Sequence, residues 1–251
     1  GGVRRARYVC LLMQTKGHAA MSEIEVYGTK RVPDSALPVE PERSVENALS
    51  DRYPAPEDFG GIENILCTPI CRGDGSSYDE GGMITARYVG YYEDGAIQDT
   101  FFDTFLFSPC ADFAPAAERI TLKGWRFYID SQFVADRNLD ALNTAAGSVK
   151  EALGLTDYRV GVHIQLPFPH PSGEDFGGGM RTDTLENRVA VCRWFMEEAV
   201  RRFDERNYEH LRLCSFYQGC ESVPMAVSDE EEALFAAVNC EAHAMGLKAS
   251  W

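Results

Sequence analysis

From Ile62 onward the chain alternates short apolar runs with long helical patterns, and this alternation restricts the fold more than any other feature. The strand readings are 62–70, 101–108, 158–168, 211–219 and a start at Leu247. Between them lie helical patterns at 125–154, which splits into two helices meeting near Arg137 and Asn138, then at 184–206 and 229–245. Within 184–206, Val189, Cys192, Phe195, Met196, Ala199 and Phe203 recur at three- and four-residue spacing and give one apolar face. Ser228 with Glu231 three residues later reads as a capping box for the last helix. Strands separated by helices of this length pair in parallel through crossover connections. The fold class is therefore α/β, either an incomplete (β/α)8 TIM-like barrel with about five βα units present or a doubly wound sheet.

The barrel is the preferred reading. No Gly-x-Gly-x-x-Gly follows any strand, and the long loops at 69–83, 167–180 and 219–228 all follow strands. In a barrel, chemistry sits in those loops at the carboxyl ends of the strands.

Charge narrows the ligand. The chain carries 39 Asp and Glu against 24 Lys and Arg, a formal net charge of −15. Nucleic acid and anionic membrane surfaces call for clustered cations, so a neutral or cationic ligand fits better. No apolar run approaches the roughly 20 residues of a membrane-spanning helix. The cysteines at 10, 67, 71, 110, 192, 214, 220 and 240 do not read as a disulfide-dense scaffold in a chain this long. Cys67, Cys192, Cys214 and Cys240 fall inside apolar runs and are expected to be buried free thiols. Cys67 with Cys71, or Cys214 with Cys220, could bridge or bind metal, but neither has a matching ligand pair, so no metal or cofactor is expected. The acidic loop at 73–82 lacks the full spacing of a calcium-binding loop.

Alternation divides the 158–168 strand into Val160, Val162 and Ile164 on one face and Gly161, His163 and Gln165 on the other. The aliphatic set should meet the helices, which turns His163 and Gln165 toward the barrel interior. Asp103 lies near the start of its strand, on the side where barrels keep stability residues, and reads as structural. Glu221 follows the 211–219 strand, with Tyr217 and Gln218 beside it. Glycosidic cleavage needs two carboxylates across the scissile bond. In a large superfamily of retaining barrel glycosidases the acid/base follows strand four, and Glu221 fits that count; the nucleophile after strand seven would fall beyond Trp251. Glu174 and Asp175 stand beside Phe176 and a Gly177-Gly178-Gly179 run, where glycines permit close backbone approach to a ligand or a mobile lid.

Residues 1–28 differ from the rest. Arg7-Tyr8-Val9 and Ser22-Glu23-Ile24-Glu25-Val26-Tyr27-Gly28 are strand-like and resemble the closing strands of a discoidin-type (coagulation-factor C-type) jelly-roll domain. Residues 29–60, with Pro33, Pro38, Pro41, Pro54 and Pro56, read as a linker, and 61–251 as the amino-terminal part of the barrel domain. The Gly1 start and the strand beginning just before Trp251 read as a fragment of a longer protein.

From Ile62 to Trp251 the chain also resembles a bacterial family of domains of unknown function, number 4855. The residues that carry the likeness are Phe102 to Phe107, the Trp125 helix with Leu139 to Leu153, Val162 to Pro169 followed by Phe176-Gly177, Arg188 with Trp194, and Phe216-Tyr217 followed by Glu221. Ser215 and Gln218 stand where the family commonly has glycine and tryptophan. The resemblance implies an extracellular or cell-surface protein of polysaccharide-handling bacteria and assigns no activity.

The expectation is an exported carbohydrate-active protein acting on a polysaccharide or glycan, a glycoside hydrolase with Glu221 as general acid/base. Gln165, His163, Tyr217, Gln218, Glu174 and Asp175 would shape its sugar site. The alternative is a non-catalytic glycan-binding or cell-surface module on the same fold.

Overall fold

The computed structural model describes residues 4–5, 37–38, 64–70, 78–85, 88–109, 118–172, 175–220 and 223–250. The chain divides into two compact units, 1–53 and 54–251. In the first, β1 (Arg4–Arg5) pairs in parallel with β2 (Leu37–Pro38). The discoidin-like phrases at 7–9 and 22–28 lie outside the described residues.

The second unit is an α/β fold around a five-stranded parallel sheet. Its strands are β3 (Ile65–Ile70), β6 (Thr104–Pro109), β7 (Val160–Leu166), β8 (Leu211–Gln218) and β9 (Lys248–Ser250), and they neighbour one another in chain order. Four longer helices connect them: α2 (Leu122–Gln132), α3 (Leu139–Leu153), α4 (Leu185–Arg206) and α5 (Glu231–Ala244). Between β3 and β6 stand a short helix α1 (Glu80–Thr85) and a hairpin of β4 (Gly90–Glu93) with β5 (Ala96–Thr100). The hairpin turns at Asp94 and Gly95, both at positive φ (49° and 84°), the geometry that matches the twist of two antiparallel strands.

Local chemistry sets the helix ends. Thr121 and Thr184 cap α2 and α4 by accepting from Gly124 N and Asn187 N. Gly154 and Asn207 close α3 and α4 in the left-handed conformation. The capping box expected at Ser228 is not what starts α5. Ser228 Oγ accepts from Glu230 N at 3.0 Å, and the Glu231 carboxylate is drawn away into an ion pair with Arg188.

The core lies between the sheet and the helices. Val160, Val162, Ile164 and Leu166 of β7 join Phe105 and Phe107 of β6, Trp125 and Tyr128 of α2, Leu142 of α3, and Phe195 and Met196 of α4 in one buried cluster. Phe195 sits edge-on to Trp125 (5.6 Å) and stacks on Tyr128 (5.9 Å), whose hydroxyl donates to Phe107 O. Asp103 accepts from Asn64 N at 2.9 Å, tying the start of β6 to the start of β3. The cysteines correct one expectation. Cys67, Cys192, Cys214, Cys220 and Cys240 are free thiols, but only Cys192 is buried, while Cys67 and Cys240 are exposed. Cys67 belongs to the strand face without helices, and Cys240 is an exposed residue of α5.

Candidate functional site

Strand alternation carries one set of side chains to the helices and the other to the opposite face. Register extends the His163 set across the sheet: His163 lies opposite Ser215, Gln165 opposite Tyr217, and Tyr217 opposite Ser250. A bulge at Cys214 makes this possible, because Val162 pairs with Leu213 and His163 with Ser215. Gly161 lies flat beneath this row, since a Cβ there would sit 2.7 Å from Thr104 Oγ1 and 3.1 Å from Cys214 Sγ.

The row is joined by hydrogen bonds. Ser215 Oγ is 2.8 Å from His163 Nδ1 and 2.8 Å from Ser250 Oγ, which is 3.2 Å from the same ring nitrogen. Ser215 thus links Ser250 to the Nδ1 side of the imidazole in one relay, while Nε2 is buried without a partner. Burial first, and the positive charge of Arg212 second, lower the His163 pKa to about 4, against the opposing pull of Asp103. The imidazole is therefore neutral at ordinary pH, a hydrogen-bonding group without charge.

Gln165 reaches the carboxyl end of the sheet, where its side chain occupies the space a Cβ on Gly219 would need. A Cβ there would force the Gln165 amide to move, so the backbone leaving β8 passes directly over Gln165.

The other named residues are distributed differently. Gln218 donates to Asn239 Oδ1 of α5 at 3.0 Å, on the helix-covered side and away from Gln165 and His163. Asp175 is exposed in the β7–α4 loop. Glu221 and Glu174 lie outside the described residues. The glycine run beside Glu174 forms a closed turn where a mobile lid was one expectation: Gly177, Gly178 and Gly179 have φ of 110°, 62° and 80°. Phe176 N donates to Met180 O and Met180 N to Gly177 O. Phe176 is buried edge-on against Trp125 at 5.1 Å, and Gly177 and Gly178 press on Leu122.

Sequence reasoning did not anticipate the buried pair at the same end of the sheet. Arg188 and Glu231, 1% and 0% exposed, approach at 2.8 Å (Nη1 to Oε1) and 2.9 Å (Nη2 to Oε2). Arg188 Nε also donates to Pro169 O at 2.6 Å, and the guanidinium lies 5.4 Å from the Phe168 ring centre. The signal was present, because Arg188 precedes Cys192 by four residues and so falls on the apolar face of α4.

A surface cleft of about 510 Å³ beside Arg201, Arg202 and Arg206 is a weaker candidate. These arginines are already engaged by Glu198, Glu205, Asp130 and Asp140. Among the described residues no group of three or more His, Cys, Asp or Glu side chains could hold a metal ion.

Comparison with known families decides what kind of chain this is. The family model described as Domain of unknown function (DUF4855) matches residues 77–251. The chain belongs to that family. No curated protein and no solved structure matches it. The DUF4855 region thus holds β4 through β9 and every residue of the polar row, whereas β3 precedes it. Among the described residues no helix is long and apolar enough to cross a membrane.

Proposed function

We propose that this DUF4855 protein is an exported bacterial carbohydrate-active protein whose sheet is part of a TIM-like barrel, with a glycan-binding site at the carboxyl ends of the strands. The observation that carries this reading is the polar row His163, Gln165, Ser215, Tyr217 and Ser250 on the face opposite the helices, with Lys248 opposite Ser215 at the amino end of its strand. Hydroxyl, amide and neutral imidazole groups beside a tyrosine ring suit sugar hydroxyls and ring faces. Two further features support the barrel. The parallel strands follow chain order, and the buried helix faces share one cluster with one side of the sheet. A doubly wound sheet would reverse its strand order and carry helices on both faces. The discoidin-like phrase at 7–9 and 22–28 supports a cell-surface setting.

Glu221 is the proposed general acid/base, three residues beyond the last residue of β8. A non-catalytic glycan-binding module is the second reading, and a specific observation favours it. The side chains that register assigns to the open face include no carboxylate among the described residues.

Reducing-sugar release across a panel of bacterial and host polysaccharides separates the two, with binding measured by calorimetry alongside. Hydrolysis that Glu221→Gln lowers by about a hundred- to ten-thousand-fold supports the glycosidase. Binding without release supports the module, and neither activity with any glycan ends the carbohydrate reading.

A further inference from the structure

We propose that Arg188 and Glu231 are a positioning pair that sets the two loops leaving β7 and β8 relative to each other, with consequences for glycan turnover that rest on the reading above. The pair joins distant parts of the chain. Pro169 lies three residues beyond the end of β7, and Glu231 opens α5, where the segment that began at Gly219 ends. One guanidinium on the first turn of α4 holds both, through the Pro169 carbonyl and the Glu231 carboxylate. Thr182 adds a second tie to the β7 loop by donating to His170 O at 2.7 Å. The loops so joined flank Gln165 and Gly219, where the backbone passes over the polar row.

Stability alone does not account for such a pair. Removing two charges from water offsets most of their attraction, and apolar residues of similar volume commonly serve a core as well. What a planar fork provides is a fixed distance and angle to its acceptors. Lysine could keep the charge at 188 but not the three-point geometry.

The R188M/E231M double variant separates positioning from stability. It should melt at or above the wild-type temperature, while amides of Phe168, His170, Ser172 and Glu231 to Leu234 exchange about tenfold faster and those of Phe195 to Phe203 are unchanged. Turnover of the glycan that the wild-type protein cleaves, or affinity for the glycan it binds, should fall about a hundredfold. Wild-type exchange both in the β7 loop and in the first turn of α5, or undiminished glycan activity, overturns the proposal. If the wild-type protein neither cleaves nor binds any glycan, the carbohydrate reading fails by itself and loop exchange still decides the positioning. Should the double variant not fold, Arg188→Lys replaces it. Faster exchange confined to Phe168, His170 and Ser172 is then expected, and a wild-type pattern overturns the proposal.

Discussion

The two faces of the parallel sheet are built from alternate residues of the same strands, yet they obey different rules. On the helix side Phe105, Phe107, Val160, Val162, Ile164, Leu166 and Phe216 are all buried in one apolar cluster. On the other side His163 and Ser215 are buried among hydroxyls, Gln165 and Tyr217 are half-buried, and Ile65 is 48% exposed. The first face is a packing problem that dispersion and the hydrophobic effect solve. The second keeps polar groups satisfied by one another and leaves an imidazole nitrogen over. Substitutions on the two faces should therefore register in different measurements.

The largest effect is expected on the covered face. Phe195→Ala removes a ring held between Trp125 and Tyr128, and should lower unfolding free energy in urea by about 3 to 5 kcal/mol. A loss under about 1 kcal/mol would mean that the helix layer is far less tightly packed than the geometry indicates.

On the open face pH is the sharper probe. His163 is neutral in the folded protein down to about pH 4, whereas an unfolded histidine takes up its proton near pH 6.5. Between those values the unfolded state binds more protons, so stability is complete above pH 6.5 and falls as pH drops toward 4. Replacing His163 with Asn should remove a pH-dependent loss on the order of 2 to 3 kcal/mol from denaturation curves taken at pH 7 and pH 4. Equal pH dependence in the two proteins would show that the imidazole is charged or solvated in the fold.

Gly219→Ala tests the rim between the faces. Its methyl group would overlap the Gln165 side chain, for a cost of about 1 to 3 kcal/mol. Adding Gln165→Ala should restore most of that loss in thermal melts. A double variant as unstable as the single one would mean that the backbone at 219, and not the Gln165 contact, requires glycine.

How much of this was legible in the chain depended on the range of the signal. Apolar period gave the β7 faces and the α4 stripe, because a strand or helix side is decided within a few residues. The β4–β5 hairpin was overlooked although Asp94-Gly95 between alternating residues is a hairpin signal. The Cys214 bulge, which aligns Ser215 with His163, depends on pairing between strands and has no local pattern. The Arg188 partner is equally remote, 43 residues along the chain, so the capping-box pattern at Ser228 gave Glu231 a local role that a distant guanidinium claims. Gln218 was legible in part. Tyr217 and Gln218 are neighbours on one strand and cannot both face the same side.

The smallest effect compares those two glutamines directly, because the same residue type stands on each face near the same strand ends. Gln218→Ala breaks the bond to Asn239 beneath α5 and should cost about 0.5 to 1.5 kcal/mol without altering glycan affinity or turnover. Gln165→Ala lies on the polar side beneath Gly219 and should change stability by less than about 1 kcal/mol while weakening binding of the proposed glycan about tenfold. Identical amide chemistry then gives opposite readouts in melting and in calorimetry. If Gln218→Ala were the variant that lost glycan, the ligand would have to approach from the side that α5 covers, and the open face would no longer be the site.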